Sequence, residues 1–311
     1  AMLAAVPGAF PLRRARPRRT ARAGRSRRRT SRQPPSRSIP KPPAYQYDTF
    51  MAWLRSTAQV QGFQSARMAP QASWFDLDAA LCRSPTWFHG EDTTRVAAVV
   101  KSVNRFAFME EIMRTGDDTV QSSLAMHLYV LQKLLLAARP GATFVDAGCG
   151  TGFLLQAWPL LAGENSVAIG LDIDPLEVVA ARKHLADPGS LAAGVRMPRG
   201  VSCKVNLGNA LRPDAAALGL PPASVDAISV GVAVCSVAEL AALTALLREG
   251  GLLIAPICGD ARSEEEKRLA GRACEKHPCS VTLFRRAEGS AKLLQVPGQP
   301  RVDVNFIVAS L

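Results

Sequence analysis

The feature that most constrains this 311-residue chain is an alternation of strand-like and helix-like segments that begins at residue 143. Apolar runs that suit buried strands are followed by segments with helical periodicity, and Pro175 suits the first turn of one such helix. The strand-like runs are TFVDAG, SVAIGLDI, VSCKVNLGNA, VDAISVGVA and LLIAPIC. This spacing predicts an α/β fold, a Rossmann-like, doubly wound and mainly parallel sheet with helices on both faces.

The segments around this core complete the predicted domain. Helices are expected over 95–103, over 123–138 and over 237–251, where the last ends at a glycine pair. The runs SVTLFRR and AKLLQV, joined by AEGS, predict an antiparallel C-terminal hairpin, followed by a final strand in VDVNFIVASL. Antiparallel strands at one edge of a parallel sheet are common. We therefore predict three parts: a basic tail over 1–47, a partly ordered extension over 48–94, and a catalytic domain over 95–311.

The net charge of +12 belongs to the N-terminal segment, because residues 1–47 contain 12 Arg, one Lys and no acid. Without these charges the remainder of the chain is close to neutral, so no nucleic-acid surface is predicted on the folded domain. The tail itself suits a disordered arm, an organelle transit segment or a nucleic-acid-binding arm. We predict a cytoplasmic protein, with a plastid or a mitochondrion as the alternative. No apolar run is long enough to span a bilayer.

Seven cysteines are scattered along the sequence, and their number is odd. This pattern predicts reduced, mostly buried thiols in an intracellular protein. The segment CEKHPC, 274–279, lacks the spacing of a zinc site, and we predict no bound metal.

The turn in DAGCGTG, 146–152, follows the first strand and precedes a helix. Glycines allow a ligand to approach the backbone closely, and the following helix directs free N–H groups at the turn. Its G-x-G-x-G spacing differs from the dinucleotide fingerprint and from the phosphate loop. Asp146 would repel a pyrophosphate but suits a cation, such as the amino group and sulfonium of S-adenosylmethionine.

Two further strand ends support the same cofactor. Asp172, which closes the second strand in GLDID, can accept hydrogen bonds from both ribose hydroxyls. Asn209, in LGNA after the third strand, can bond to the adenine edge. The ordered series DAGCGTG, GLD and GNA resembles class I S-adenosylmethionine-dependent methyltransferases.

The upstream sequence narrows this resemblance. The helix MHLYVLQKLL leads directly into PGATFVDAGCGTG, and VDAISVGVAV is followed by LREGGLLIAPIC. These segments, with VNRFAF before them, resemble the protein-L-isoaspartate O-methyltransferase family over roughly residues 95–311. The resemblance implies an enzyme that methylates carboxylates of isoaspartyl residues in damaged proteins or peptides, which is a protein-repair reaction. We also predict a monomer.

Carried over position by position, the resemblance implies a role for Ser122 in the active-site loop, where it would position the acceptor carboxylate. It implies that His127 contacts the cofactor. The expected cofactor-binding residues are His127, Asp146, Gly148, Cys149, Gly150, Thr151, Gly152, Asp172, Ile173, Gly208 and Asn209.

The loop before the helix departs from the family pattern, because Leu124 stands where the family has proline. Asp117 and Asp118 would also bring negative charge near an entering carboxylate, which is unfavourable. Two alternatives therefore stay open: a methyltransferase for another acceptor, and a non-catalytic adaptor that binds S-adenosylmethionine. Ser122 as a helix cap and His127 as a packed helix residue also remain open.

Overall fold

A computed structural model of the chain describes residues 91–104, 124–258, 277–299 and 302–306, which all belong to one compact unit, Pro42–Leu311. The predicted tail, most of the predicted extension, Ser122 and the loop with Asp117 and Asp118 lie outside these residues. The first described helix, α1 (Glu91–Ser102), begins four residues before the predicted start at Arg95. Asp92 favours a helix N-terminus there, because an acid in the first turn complements the helix dipole.

Eight strands of the described residues form one sheet with the order β3-β2-β1-β4-β5-β6-β7, in which β8 also pairs with β6. Neighbouring pairs from β3 to β5 are parallel, and β6 pairs antiparallel with β5, β7 and β8. This arrangement confirms the predicted doubly wound sheet and its C-terminal hairpin. The strands are β1 (Thr143–Ala147), β2 (Val167–Asp172), β3 (Ser202–Leu207), β4 (Val225–Val230), β5 (Leu247–Ile257), β6 (His277–Arg286), β7 (Leu293–Gln295) and β8 (Val302–Phe306).

Side chains alternate between the two faces of the sheet along each strand, so apolar strands place apolar side chains on both faces. Helices cover both of these faces. Phe144 of β1 packs in the core with α1 to α3 and stacks on Trp158 at 4.7 Å between ring centroids. Its neighbour Val145 packs in the opposite core with residues of α5 and α6. The remaining helices are α2 (Leu124–Leu134), α3 (Phe153–Ala162), α4 (Pro175–Ala186), α5 (Ala215–Leu218) and α6 (Ala241–Leu246). Within the described ranges, no helix has the length and apolar character needed to cross a membrane.

The prediction of one helix over 237–251 was wrong at its C-terminal end. A 3₁₀ turn (Val237–Leu240) leads into α6, which ends at Leu246, and β5 begins at the next residue. The β4–β5 register shifts between Val225 and Ala227, and Gly250 has φ +71°. A side chain at Gly251 would approach the carbonyl oxygen of Val225 to 3.1 Å. The glycine pair therefore permits an irregular strand start rather than ending a helix.

The prediction of reduced, mostly buried cysteines was wrong for two of them. Cys258 and Cys279 form a disulfide. The antiparallel β5–β6 register pairs Ile257 with Ser280, and this pairing places Cys258 opposite Cys279. Cys235 is exposed, whereas Cys149 is buried. Across the described part of the chain, no group of three or more His, Cys, Asp or Glu side chains could hold a metal ion.

Candidate functional site

The carboxyl ends of β1, β2 and β3 meet at one edge of the sheet, and backbone hydrogen bonds tie them together. The N–H groups of Gly148 and Cys149 donate to the carbonyl oxygen of Leu171 at 2.8 and 3.0 Å. The N–H of Gly208 donates to the carbonyl oxygen of Asp172 at 2.8 Å. The three sequence motifs that predicted the cofactor site are therefore assembled side by side.

The turn after β1 requires its glycines. Gly148 and Gly152 have φ values of +86° and +88°, a region that residues with a side chain rarely adopt. A Cβ at Gly148 would lie 3.0 Å from Val232, and one at Gly152 would lie 3.2 Å from the Cβ of Ala181. Gly150, between them, also has a positive φ. The turn thus presents bare backbone at the sheet edge and starts α3 directly behind it.

The carboxylate of Asp172 holds this turn from the neighbouring strand. Its Oδ2 accepts a hydrogen bond from the N–H of Gly150 at 2.8 Å, and its Oδ1 accepts one from the N–H of Asp174 at 3.0 Å. Each carboxylate oxygen has a second lone pair, so the half-buried group can also accept from a ribose diol. Asp172 therefore combines a structural task in the turn with the predicted cofactor contact.

Ile173 and Asn209 flank this carboxylate. The side chain of Ile173 is 66% exposed, which is unusual for a large apolar residue and suits the face of an aromatic base. The Oδ1 of Asn209 accepts a hydrogen bond from the N–H of Leu211 at 2.9 Å. This bond fixes the side chain and leaves its amide nitrogen as the atom suited to donate to an adenine acceptor.

Asp146 lies beneath the turn and is only 3% exposed. The β1–β4 register places it opposite Ser229, whose side chain forms a hydrogen bond with it. The pKa of Asp146 is raised to about 8, mainly by burial, with a lowering contribution from the Ser229 hydrogen bond and a raising one from nearby Asp172. A bound cation would favour the ionised carboxylate, since opposite charges nearby stabilise the charged form.

The other two predicted residues of the turn face the interior. Cys149 and Thr151 are 8% and 3% exposed. Burial, with Asp146 and Asp172 nearby, raises the pKa of the Cys149 thiol well above its ordinary value. A Cβ at Gly170 would lie 2.7 Å from the Cys149 sulfur, which explains the glycine in the GLD motif. These side chains support the turn, and their backbone is the part that lies at the edge.

His127 of α2 is 7% exposed, and its ring stacks on Phe153, the first residue of α3, at 4.6 Å between centroids. The structure therefore brings His127 to the helix that begins at the glycine turn. Ser122, the predicted catalytic residue, lies just before α2 and outside the described residues, so its role stays a prediction.

Comparisons with known proteins agree with this geometry. A family model described as protein-L-isoaspartate(D-aspartate) O-methyltransferase matches residues 91–278, which is more than half of the chain. The chain belongs to this family.

Similar proteins of this family occur in plants. A protein-L-isoaspartate O-methyltransferase of Triticum aestivum is 28% identical over 173 residues, covering 53% of this chain and 70% of the wheat protein. Protein-L-isoaspartate O-methyltransferase 1 of Arabidopsis thaliana is 30% identical over 178 residues, covering 54% of this chain and 73% of the relative. A solved protein-L-isoaspartate O-methyltransferase shares the fold with a TM-score of 0.51 at 15% identity, covering 75% and 65% of the two chains. Family membership confirms the predicted class I fold, the class of protein carboxyl methyltransferase and the use of S-adenosylmethionine.

The residues of this family member fit that cofactor. The turn offers backbone without side chains, Asp172 offers a carboxylate for a diol, and Ile173 offers an exposed apolar surface. The buried acid of Asp146, whose neighbouring acid is Asp172, matches the positive charge of the amino group and sulfonium.

Sequence reasoning missed the residues that support the site from other elements. Ser229 of β4 bonds to Asp146, and Gly231 donates its N–H to the carbonyl oxygen of Ala147 at 2.7 Å. A side chain at Gly231 would overlap the carbonyl oxygen of Gly148. Their position in the sequence could have indicated them, because both residues lie at the carboxyl end of β4, beside the strand that carries the turn.

Proposed function

We propose that this chain transfers a methyl group from S-adenosylmethionine to the free carboxylate of isoaspartyl residues in damaged proteins. The observation that carries the proposal is the family match over 91–278, on a chain whose β1–β3 edge has the acids and bare backbone that this cofactor requires. When bound, S-adenosylmethionine supplies a methyl group on a positively charged sulfur.

The residues of the β1–β3 edge would bind and orient the cofactor. The carboxylate of Asp172 would accept from its ribose hydroxyls, while Ile173 and the amide nitrogen of Asn209 would contact its base. The glycine turn would lie against its amino acid part. Asp146 would carry its negative charge in the bound state, which stabilises the cationic groups at the centre of the site.

The acceptor needs little chemical help from the protein. Its carboxylate is already ionised at neutral pH, so no general base is required to start the attack. Catalysis then depends on alignment of the carboxylate oxygen with the methyl group and on exclusion of water from the anion. Ser122 is proposed to hold the acceptor carboxylate by a hydrogen bond from its hydroxyl.

Two peptides that differ only in the linkage of one aspartyl residue test this function. Labelled S-adenosylmethionine is incubated with the full chain and either the isoaspartyl peptide or the normal aspartyl peptide. We expect base-labile label on the isoaspartyl peptide only. Equal labelling of both peptides, or binding of the cofactor with no labelled peptide, would contradict the proposed acceptor and favour another substrate.

A serine variant tests the acceptor side separately. Ser122→Ala should lower kcat for the isoaspartyl peptide about tenfold or more, while the Kd for S-adenosylhomocysteine stays within twofold of the wild-type value. Ser123→Ala, one residue further along, is the matched control and should keep both values. Equal kinetics for the two variants would show that Ser122 does not position the acceptor.

A further inference from the structure

The outer side of the glycine turn is lined by one face of α4. Glu177, Ala181 and His184 share this face, because residues three, four and seven apart lie on the same side of a helix. All three are buried, with exposed fractions of 7%, 0% and 4%. Ala181 packs against Gly152, and the carboxylate of Glu177 lies 3.9 Å from where a Cβ of Gly150 would be. Successive residues of this helix face therefore lie next to successive glycines of the turn.

His184 makes a polar contact between this face and the turn. Its Nδ1 lies 3.1 Å from the carbonyl oxygen of Thr151. A carbonyl oxygen can only accept, so Nδ1 must carry the proton in this contact. Thr151 is 3% exposed, which gives its carbonyl little access to water if the histidine is removed.

This hydrogen bond fixes one peptide plane of the turn. The carbonyl of Thr151 and the N–H of Gly152 belong to the same planar unit. The histidine holds the oxygen of that unit, and the carbonyl oxygen of Cys149 accepts its N–H at 3.0 Å. The Cys149–Gly150 unit is held in the same way, because its oxygen accepts that N–H and its own N–H donates to Asp172. Two peptide planes of the turn are thus locked at both ends.

We propose that His184 is a positioning residue for the cofactor turn, which it holds through the Thr151–Gly152 peptide unit. The proposal rests on the proposed function only in the identity of the cofactor. Without the histidine donor the turn can rotate this unit to satisfy the carbonyl elsewhere, and the bare backbone then no longer matches the cofactor. The residue acts through the turn, so it should affect cofactor affinity and leave the chemical step unchanged.

Three variants test the proposal. His184→Leu keeps most of the volume and removes the donor, whereas His184→Asn keeps a nitrogen donor near the position of Nδ1. Ser190→Ala removes the 2.6 Å hydrogen bond from the Ser190 hydroxyl to the backbone oxygen of His184, which is a buried contact of the same residue without a link to the turn. It therefore serves as a control for general loss of packing.

Calorimetry with S-adenosylhomocysteine provides the readout. We expect about a tenfold higher Kd for His184→Leu, equivalent to about 1.4 kcal/mol, and values within twofold of wild type for His184→Asn and Ser190→Ala. In methyl transfer to the isoaspartyl peptide, His184→Leu should raise KM for S-adenosylmethionine with kcat nearly unchanged. Equal Kd values for His184→Leu and wild type, or an equal increase in Ser190→Ala, would overturn the positioning role.

A spectroscopic measurement covers the case in which the leucine variant does not fold. In the ¹⁵N-histidine spectrum of the full wild-type chain, His184 should show a protonated Nδ1 at neutral pH. A bare Nδ1 on a neutral ring excludes the hydrogen bond to Thr151 and overturns the proposal. If the wild-type chain binds S-adenosylhomocysteine but methylates no isoaspartyl peptide, the proposed acceptor fails while the Kd ratios still decide the role of His184. Absence of binding by the wild-type chain would overturn both.

Discussion

Two aspartates lie on neighbouring parallel strands and are equally buried, yet they have different surroundings. Asp226 on β4 and Asp146 on β1 are each 3% exposed. At the amino end of the strands, Asp226 accepts hydrogen bonds from Arg139 at 2.8 Å, Arg248 at 2.5 Å and the N–H of Thr143 at 2.9 Å. At the carboxyl end, Asp146 has the hydroxyl of Ser229, and the charge that acts on it is another acid, Asp172.

The difference separates Asp226, a structural acid, from Asp146, an acid with a proposed role in cofactor binding. A buried carboxylate that is matched by two guanidinium groups has its charge compensated within the fold. A buried carboxylate beside another acid carries an unfavourable charge until a cation arrives, and burial accordingly raises the pKa of Asp146 to about 8. The same residue type at opposite ends of the sheet thus stabilises the fold in one place and, in the function proposed above, prepares a cofactor site in the other.

The largest effect is expected at the structural end. Asp226→Ala leaves two arginines and a backbone N–H without their acceptor, and we expect a loss of about 3 kcal/mol in the free energy of unfolding. This value lies at the low end for buried pairs because the Arg139 and Arg248 side chains are 57% and 37% exposed. Denaturant unfolding measures it. A loss below about 0.5 kcal/mol would show that Asp226 does not stabilise the fold.

Asp172→Ala should have the next largest effect, and it should act on binding. The variant loses the acceptor for the N–H of Gly150 and the proposed contact with the ribose. We expect a Kd for S-adenosylhomocysteine about 30 to 100 times higher, measured by calorimetry. Asp187→Ala is the control. It removes an exposed acid that caps the 3₁₀ turn Pro188–Ser190, and it should leave the Kd unchanged. Similar Kd values in the two variants would argue against a cofactor site at the end of β2.

Asp146→Asn should stabilise the protein at alkaline pH. In the unfolded chain Asp146 loses its proton near its ordinary pKa of 3.8, whereas burial raises the pKa in the folded chain to about 8. Between these values the folded state binds more protons than the unfolded state, so this group lowers stability as pH rises through that range. The full penalty is present above both values and absent below both.

Thermal unfolding of wild type and Asp146→Asn at pH 4 and pH 8.5 measures this contribution. We expect similar Tm values at pH 4 and a variant that is about 2 kcal/mol more stable at pH 8.5, which is a few degrees in Tm. The asparagine can still accept from Ser229, while its lost charge should weaken binding of S-adenosylmethionine. A variant that is less stable than wild type at pH 8.5 would show that Asp146 has a compensating partner, as Asp226 does.

The sequence predicted the acids at the carboxyl end of the strands, but not the contacts of Asp226 at the amino end. The turn, Asp146 and Asp172 were predictable, because local patterns mark a strand that ends in glycines and an acid that ends the next strand. Asp226 was placed correctly in the fourth strand, but its partners Arg139 and Arg248 are distant in sequence. Contacts between distant elements leave no local pattern.

The other differences have the same origin. The helix predicted over 237–251 was too long because leucines and glycines after Leu246 suit either a helix end or a bulged strand, and pairing with β4 decides between them. The disulfide between Cys258 and Cys279 depends on the β5–β6 register, which the spacing of cysteines does not reveal. The support of the turn by His184 likewise requires knowing which face of α4 is buried.

The last prediction changes neither stability nor binding: it concerns thiol reactivity and tests how acidic and how buried the surroundings of the turn are. Burial first, then the acids Asp146 and Asp172, raise the pKa of the Cys149 thiol well above its ordinary value, whereas Cys235 is exposed. Alkylation requires the thiolate, so at pH 8 we expect iodoacetamide to modify Cys235 at least about 100 times faster than Cys149. Peptide mapping by mass spectrometry measures both rates, and denaturation in guanidinium should make them nearly equal. Comparable rates in the folded chain would mean that water reaches Cys149 beneath the turn, in which case Asp146 would not be desolvated and its contrast with Asp226 would disappear.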